Sequence, residues 1–168
     1  VTTGAHRVLV AGVGNVFLGD DGFGVEVARR LAGEPMPEGV RVADFGIRGV
    51  HLAYELLDGY YTAILVDAVP RGGEPGTVYV IEPDLARGGE GDHGLLDAHG
   101  MEPDAVLSML RTLGGGEVEV LIVGCEPAEV EERIGLSELV AGSVDQAVAV
   151  VRELVDKLTA GVEQREEG

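Results

Sequence analysis

The chain has a single cysteine, Cys125, in 168 residues. One thiol excludes an intrachain disulfide framework and a cysteine-built zinc site. Tryptophan is absent and aromatic residues make up only 4% of the chain, so a core has to come from aliphatic side chains, valine above all. Bases are scarce, 12 against 30 acids, for a formal net charge of −18. Such a surface cannot neutralise a phosphate backbone, which excludes nucleic acid as a partner. It suits solubility and is compatible with a neutral or basic partner segment. No apolar run reaches the ~18 residues of a membrane span, and the opening VTTGAHR lacks a signal-peptide core. A cytoplasmic protein that does not engage the membrane is expected.

Hydrophobic residues make up 45% of the chain, enough at this length for a full core without staples. The 27 glycines and 7 prolines have no period and serve as turn punctuation. One α/β domain over 1–161 is expected, with a frayed polar acidic tail at 162–168.

Alternating strand and helix patterns run along the chain. Residues 7–13 are short, β-branched and apolar throughout, as a strand buried on both faces should be. After a glycine-rich turn, Val25, Ala28 and Leu31 fall at helical spacing up to Gly33. Strands are expected at 40–45, 61–66, 77–81 and 118–123, and a short helix at 50–57. Residues 83–98 have no period, and such long irregular segments are usually functional or mobile. Pro103 opens a helix carrying Val106, Leu107, Leu110 and Leu113. Ser143 and Gln146 have capping-box spacing before a long apolar helix stripe. The pattern predicts a three-layer α/β/α sandwich around a central, mostly parallel five-stranded sheet. The short link between the third and fourth strands suggests that this pair is antiparallel.

The stretch VLVAGVGNVFLGDDGFG (8–24) carries the chemistry. Gly12, Gly14 and Gly19 approach a dinucleotide fingerprint, but Phe17 stands where its last glycine belongs. A phosphate loop would need Lys and Ser/Thr where Asp20 and Asp21 stand, and two carboxylates there would repel a pyrophosphate. One of the two acids suits a helix start. Asp67 ends an apolar strand, and His99 follows the irregular segment. Asp21, Asp67 and His99 could converge at one sheet edge. Two readings stand open: an O/N ligand set for a transition metal with free positions, or carboxylates sharing a proton for acid–base work. Cys125 beside Glu126 is a poor nucleophile, since the neighbouring acid raises its pKa. Arg48, between Gly46 and Gly49, suits either a carboxylate clamp or a solvated loop. Asn15 suits a turn fixed by its side chain.

The segments GVGNVFLGDDGFG (12–24), DFGIRG (44–49), VDAV (66–69), DAHGM (97–101) and GCEP (124–127) resemble, in order, those of the hydrogenase maturation proteases. The likeness spans residues 7 to about 155. It implies an α/β/α fold and an aspartyl-type endopeptidase. This enzyme removes the C-terminal extension of a nickel–iron hydrogenase large-subunit precursor once nickel is inserted. It further implies that Asp21, Asp67 and His99 are the catalytic and metal-contacting positions. Nickel would then arrive with the substrate, leaving the resting site empty or holding an adventitious divalent ion. A non-catalytic nickel-state sensor or chaperone for the same large subunit would need the same three residues.

Overall fold

The computed structural model describes residues 8–82, 103–114 and 118–166. Five strands form one sheet: β1 (Val8–Val13), β2 (Val40–Gly46), β3 (Thr62–Ala68), β4 (Val78–Ile81) and β5 (Glu119–Cys125). Their spatial order is β2-β1-β3-β5-β4. All neighbours are parallel except β4, which runs antiparallel to β5. The expected antiparallel strand is therefore present, but its partner is β5, which lies between β3 and β4. The β3–β4 link steps across the β5 position, which β5 later fills as a parallel neighbour of β3.

Every residue of β1 is buried, and its side chains alternate between two cores as the strand period requires. On one face Leu9, Ala11 and Val13 join Ala63, Leu65, Val120 and Ile122. Leu52, Ala53 and Leu56 of helix α2 (Gly49–Leu56) and Val106 and Leu110 of α3 (Pro103–Thr112) cover that face. On the other face Val8, Val10, Ile64, Val66, Leu121 and Val123 lie beneath Phe23, Val27 and Leu31 of α1 (Phe23–Ala32). Ala147, Val148, Val151 and Val155 of α5 (Val144–Glu166) complete that layer. The three-layer α/β/α sandwich follows directly.

Three details depart from expectation. A short helix, α4 (Glu138–Ala141), precedes α5. The Ser143 hydroxyl donates to the carbonyls of Gly76 (2.6 Å) and Leu139 (3.2 Å), so it joins the β3–β4 turn to α4 instead of accepting a bond as a capping box would. Finally, α5 continues through Gly161 to Glu166, where a frayed tail was expected. No helix among the described residues is long and apolar enough to cross a membrane.

Two glycines set the depth at which α1 seats on the sheet. A Cβ on Gly24 would lie 1.9 Å from the Val66 carbonyl oxygen and 2.5 Å from that of Val13. A Cβ on Gly12 would lie 2.3 Å from the Gly24 carbonyl oxygen. Helix backbone thus rests directly on the carboxyl ends of β1 and β3.

Candidate active site

The chain leaves β1 towards β2 on one side and later returns to β3 on the other. The carboxyl ends of β1 and β3 therefore flank a topological switch point, the place where open α/β sheets keep their sites. Both expected carboxylates are found there. Gly14 follows β1 at φ +130°, a conformation that disfavours any side chain. A Cβ on Gly14 would lie 1.9 Å from the Asp21 carbonyl oxygen and 3.4 Å from Oδ1 of Asp67. The same bare backbone position thus abuts both acidic residues.

Asp21 is half-buried in a 3-10 turn, Gly19–Gly22, and its Oδ2 accepts the Asn15 N–H at 2.9 Å. Asn15 Oδ1 accepts the Phe17 N–H at 2.9 Å. Its side chain fixes the turn, as the sequence suggested. Asp67 lies within β3 and is only 8% exposed, with its Oδ1 accepting the Ala68 N–H at 2.8 Å. Burial, and then the charge of Asp21, push the Asp67 carboxyl well above the usual carboxylate range. The Ala68 N–H offsets this only in part.

Asp20 is the opposite case. It is fully buried, yet its carboxyl is held below the ordinary value. Burial pushes it up, but the N–H groups of Glu129, Ser137 and Ala128 and the Ser137 hydroxyl outweigh that push. It was expected to cap or complement a helix start. It does stand in the first turn, but no side-chain cap bond exists there or at α1, and its carboxylate binds a distant segment.

The third expected residue, His99, lies outside the described residues, as does the 83–98 segment. Among the described residues no group of three or more His, Cys, Asp or Glu side chains is arranged to hold a metal ion. Asp21 and Asp67 alone offer hard oxygen ligands, suited to sharing a cation that brings other ligands with it. In unlike surroundings the same pair can also divide acid and base roles.

Cys125 is fully buried, and its thiol is pushed up to about 11 by burial, with Asp20 and Glu126 adding to the shift. It is unsuited to nucleophilic attack. Arg48 turns back on its own loop, where Nε and Nη2 donate to the carbonyls of Phe45 (3.1 Å) and Asp44 (2.9 Å).

Sequence reasoning noted Glu126 only as the neighbour of Cys125 and missed its bonds: it is buried, with Oε1 accepting the N–H groups of Arg71 and Gly73 and the Tyr79 hydroxyl. It also missed Ser137, the double partner of Asp20. Neither carries a local signal, because each partner lies far away along the chain.

Comparison with known proteins gives the family. A family model described as hydrogenase maturation protease matches residues 25–154. The chain is 35% identical over 152 residues to the hydrogenase expression/formation protein HupD of Rhodobacter capsulatus, covering 89% of this chain and 71% of that one. It is 30% identical over 158 residues to the hydrogenase 2 maturation protease of Escherichia coli, covering 88% and 92%. The solved structure of the hydrogenase maturating endopeptidase HybD from E. coli superposes with a TM-score of 0.76 at 27% identity, covering 90% of this chain and 93% of that one. The chain belongs to the hydrogenase maturation protease family and, as a member, is an endopeptidase.

Proposed function

We propose that this endopeptidase removes the C-terminal extension of a nickel–iron hydrogenase large-subunit precursor after nickel insertion. In this reading Asp21, Asp67 and His99 contact the nickel that the precursor carries. The observation that carries it is the gathering of Asp21 and Asp67 at the switch point, with Gly14 between them. Family membership and the maturation proteases among the relatives support the substrate class.

Nickel held by the precursor's own thiolates has coordination positions to spare. Two carboxylates and an imidazole fill them only when metal is present, so the loaded precursor binds better than the empty one. That differential affinity is the gate. A carboxylate beside the metal then takes a proton from the water that attacks the scissile carbonyl. As the C–N bond breaks, a proton passes to the departing amide nitrogen.

The test is to incubate the protein with extended large subunit, with and without inserted nickel, and to weigh the products. Loss of a C-terminal peptide from the loaded form alone supports the proposal. Equal cleavage of both forms refutes the gate. Binding of the loaded form without any mass loss refutes the hydrolytic role and leaves a sensor. If Asp21→Ala and His99→Ala both cleave at the wild-type rate, the assignment of residues is wrong.

A further inference from the structure

Asp20 and Glu126 are buried acids that the proposed reaction does not use: Asp20 grips the segment that follows β5, and Glu126, the first residue of that segment, ties it to the β3–β4 link and β4. Asp20 Oδ2 accepts the N–H groups of Ala128 and Glu129 and the Ser137 hydroxyl, each at 2.8 Å, and its Oδ1 accepts the Ser137 N–H at 2.6 Å. Backbone bonds reinforce the grip. The Asp20 N–H donates to the Glu129 carbonyl (2.9 Å), the Gly19 N–H to that of Arg133 (2.8 Å), and the Arg133 N–H to that of Phe17 (2.9 Å). At the other end, Glu126 Oε1 accepts the Arg71 and Gly73 N–H groups, both at 2.8 Å, and the Tyr79 hydroxyl at 3.0 Å. The Val69 N–H, two residues beyond Asp67, donates to the Cys125 carbonyl at 2.9 Å. Residues 125–137 therefore run as a strap from the end of β3 to the turn that bears Asp21.

We infer that Asp20 is a positioning residue for Asp21: it ties the Asp21 turn to a strap whose far end Glu126 fastens beside Asp67. The inference rests on the function proposed above. Asp67 is held by its strand, where it pairs with Gly124 of β5. Asp21 stands on a four-residue 3-10 turn, with the Asn15 N–H on its carboxylate, so where that short turn is held decides where the carboxylate sits. Charge-assisted bonds to a buried carboxylate are stronger than neutral ones. Those to Asp20 fix the neighbouring residue with little freedom. A site that must meet a metal and a scissile bond together loses about 100-fold in rate for a displacement of about 1 Å.

Ser137→Ala provides the test, because it removes one hydroxyl bond and leaves the three N–H bonds in place. Asp20→Asn is the stronger perturbation, and Ser137→Thr is the conservative rescue. Each is assayed on nickel-loaded precursor alongside Asp21→Asn, with folding followed by circular dichroism and thermal melts. The expected result for Ser137→Ala is a kcat lower by roughly tenfold, with KM within about twofold and activity restored in Ser137→Thr. Folded Ser137→Ala with wild-type kcat overturns the inference, and so does a loss that vanishes once the folded fraction is corrected for. If Asp20→Asn does not fold, Ser137→Ala still decides. Asp21→Asn separates the two levels. If it is inactive while Ser137→Ala is fully active, the functional reading stands and the positioning role falls. If Asp21→Asn cleaves normally, both fall.

Discussion

Replacing Gly24 with alanine tests whether the close seating of α1 holds the site together. The added Cβ would stand 1.9 Å from the Val66 carbonyl oxygen and 2.5 Å from that of Val13. Both oxygens are backbone atoms of central strands and cannot swing aside as a side-chain tip can. Relief requires α1 to withdraw by about 1 Å, which brings the worse contact to the 3.0 Å below which real Cβ atoms are essentially not found. A gap of 0.5–1 Å forfeits about a quarter to a half of a van der Waals well. Phe23, Val27 and Leu31, all fully buried against the sheet, would bear that loss. With each such side chain worth about 1.5–3 kcal/mol on burial, the expected destabilisation is about 2–4 kcal/mol. That is a large share of the 5–15 kcal/mol of a typical domain. The assay is urea denaturation of Gly24→Ala beside Gly59→Ala. At Gly59 a Cβ meets nothing within 4 Å, and φ of +88° carries only the conformational strain of about 1–2 kcal/mol. A Gly24→Ala variant no less stable than Gly59→Ala would refute the close-seating argument. Because Asp21 stands on the turn that feeds α1, folded Gly24→Ala is also expected to cleave precursor at least tenfold more slowly.

The remaining predictions concern the acids and the thiol. The Asp67 carboxyl is raised, so the stability its proton confers is full below the ordinary aspartate value of 3.8 and is lost as pH rises through the raised value. Asp67→Asn is therefore expected to be more stable than wild type at neutral pH and to lose that advantage towards pH 4, as pH-dependent urea midpoints would show. Asp20 has the opposite sign: its lowered carboxyl stabilises above pH 3.8, and that stability is lost as pH falls through the lowered value. Asp20→Asn leaves buried donors facing an amide and should cost about 3 kcal/mol at pH 7, a gap that narrows in acid in the same titrations. In a double-mutant cycle of Asp21→Asn and Asp67→Asn, the two substitutions should relieve the same repulsion. Their summed gains should exceed that of the double variant by about 0.5 kcal/mol or more. Cys125→Ala should cleave normally, and native protein should resist iodoacetamide until unfolded, as mass spectrometry would show.

The strand–helix alternation was legible because β1, β3 and β5 are continuous apolar runs and α1 and α5 carry apolar stripes at helical spacing. Partners along the sheet edge were not. The position of β4 beyond β5 depends on β5, which comes some forty residues later, and no local pattern in VYVI records it. The meeting of Asp21 and Asp67 at one sheet edge was legible because one follows an apolar strand and the other stands near the end of one, and a parallel sheet brings those carboxyl ends together. The role of Asp20 was not, because a helix-start acid and a buried four-bond acceptor are the same letter. The difference lies in Ser137, 117 positions away. The Ser143–Gln146 spacing misled for a related reason. A capping box is a local preference, and here the carbonyls of Gly76 and Leu139 claim the hydroxyl first.

Asp20 and Asp67 show how differently one fold can treat two buried carboxyls. Four donors meet the Asp20 carboxylate, so it stays ionised inside the protein without an outside cation. Asp67 is almost as deeply buried, but it draws on the Ala68 N–H and faces Asp21. The fold therefore holds two acids against each other where solvent screening is weak. Such an arrangement is unfavourable in isolation. It persists because the sheet fixes Asp67 and the bonded turn fixes Asp21, in the way strained groups persist at working sites. A cation brought between them removes the repulsion and gains attraction to both, so its arrival changes the local energy more than it could at Asp20. In the proposed reading that difference is the signal. In that same reading the metal is recognised on arrival, by Asp21, Asp67 and His99 together, and the precursor that carries it is told from one that does not.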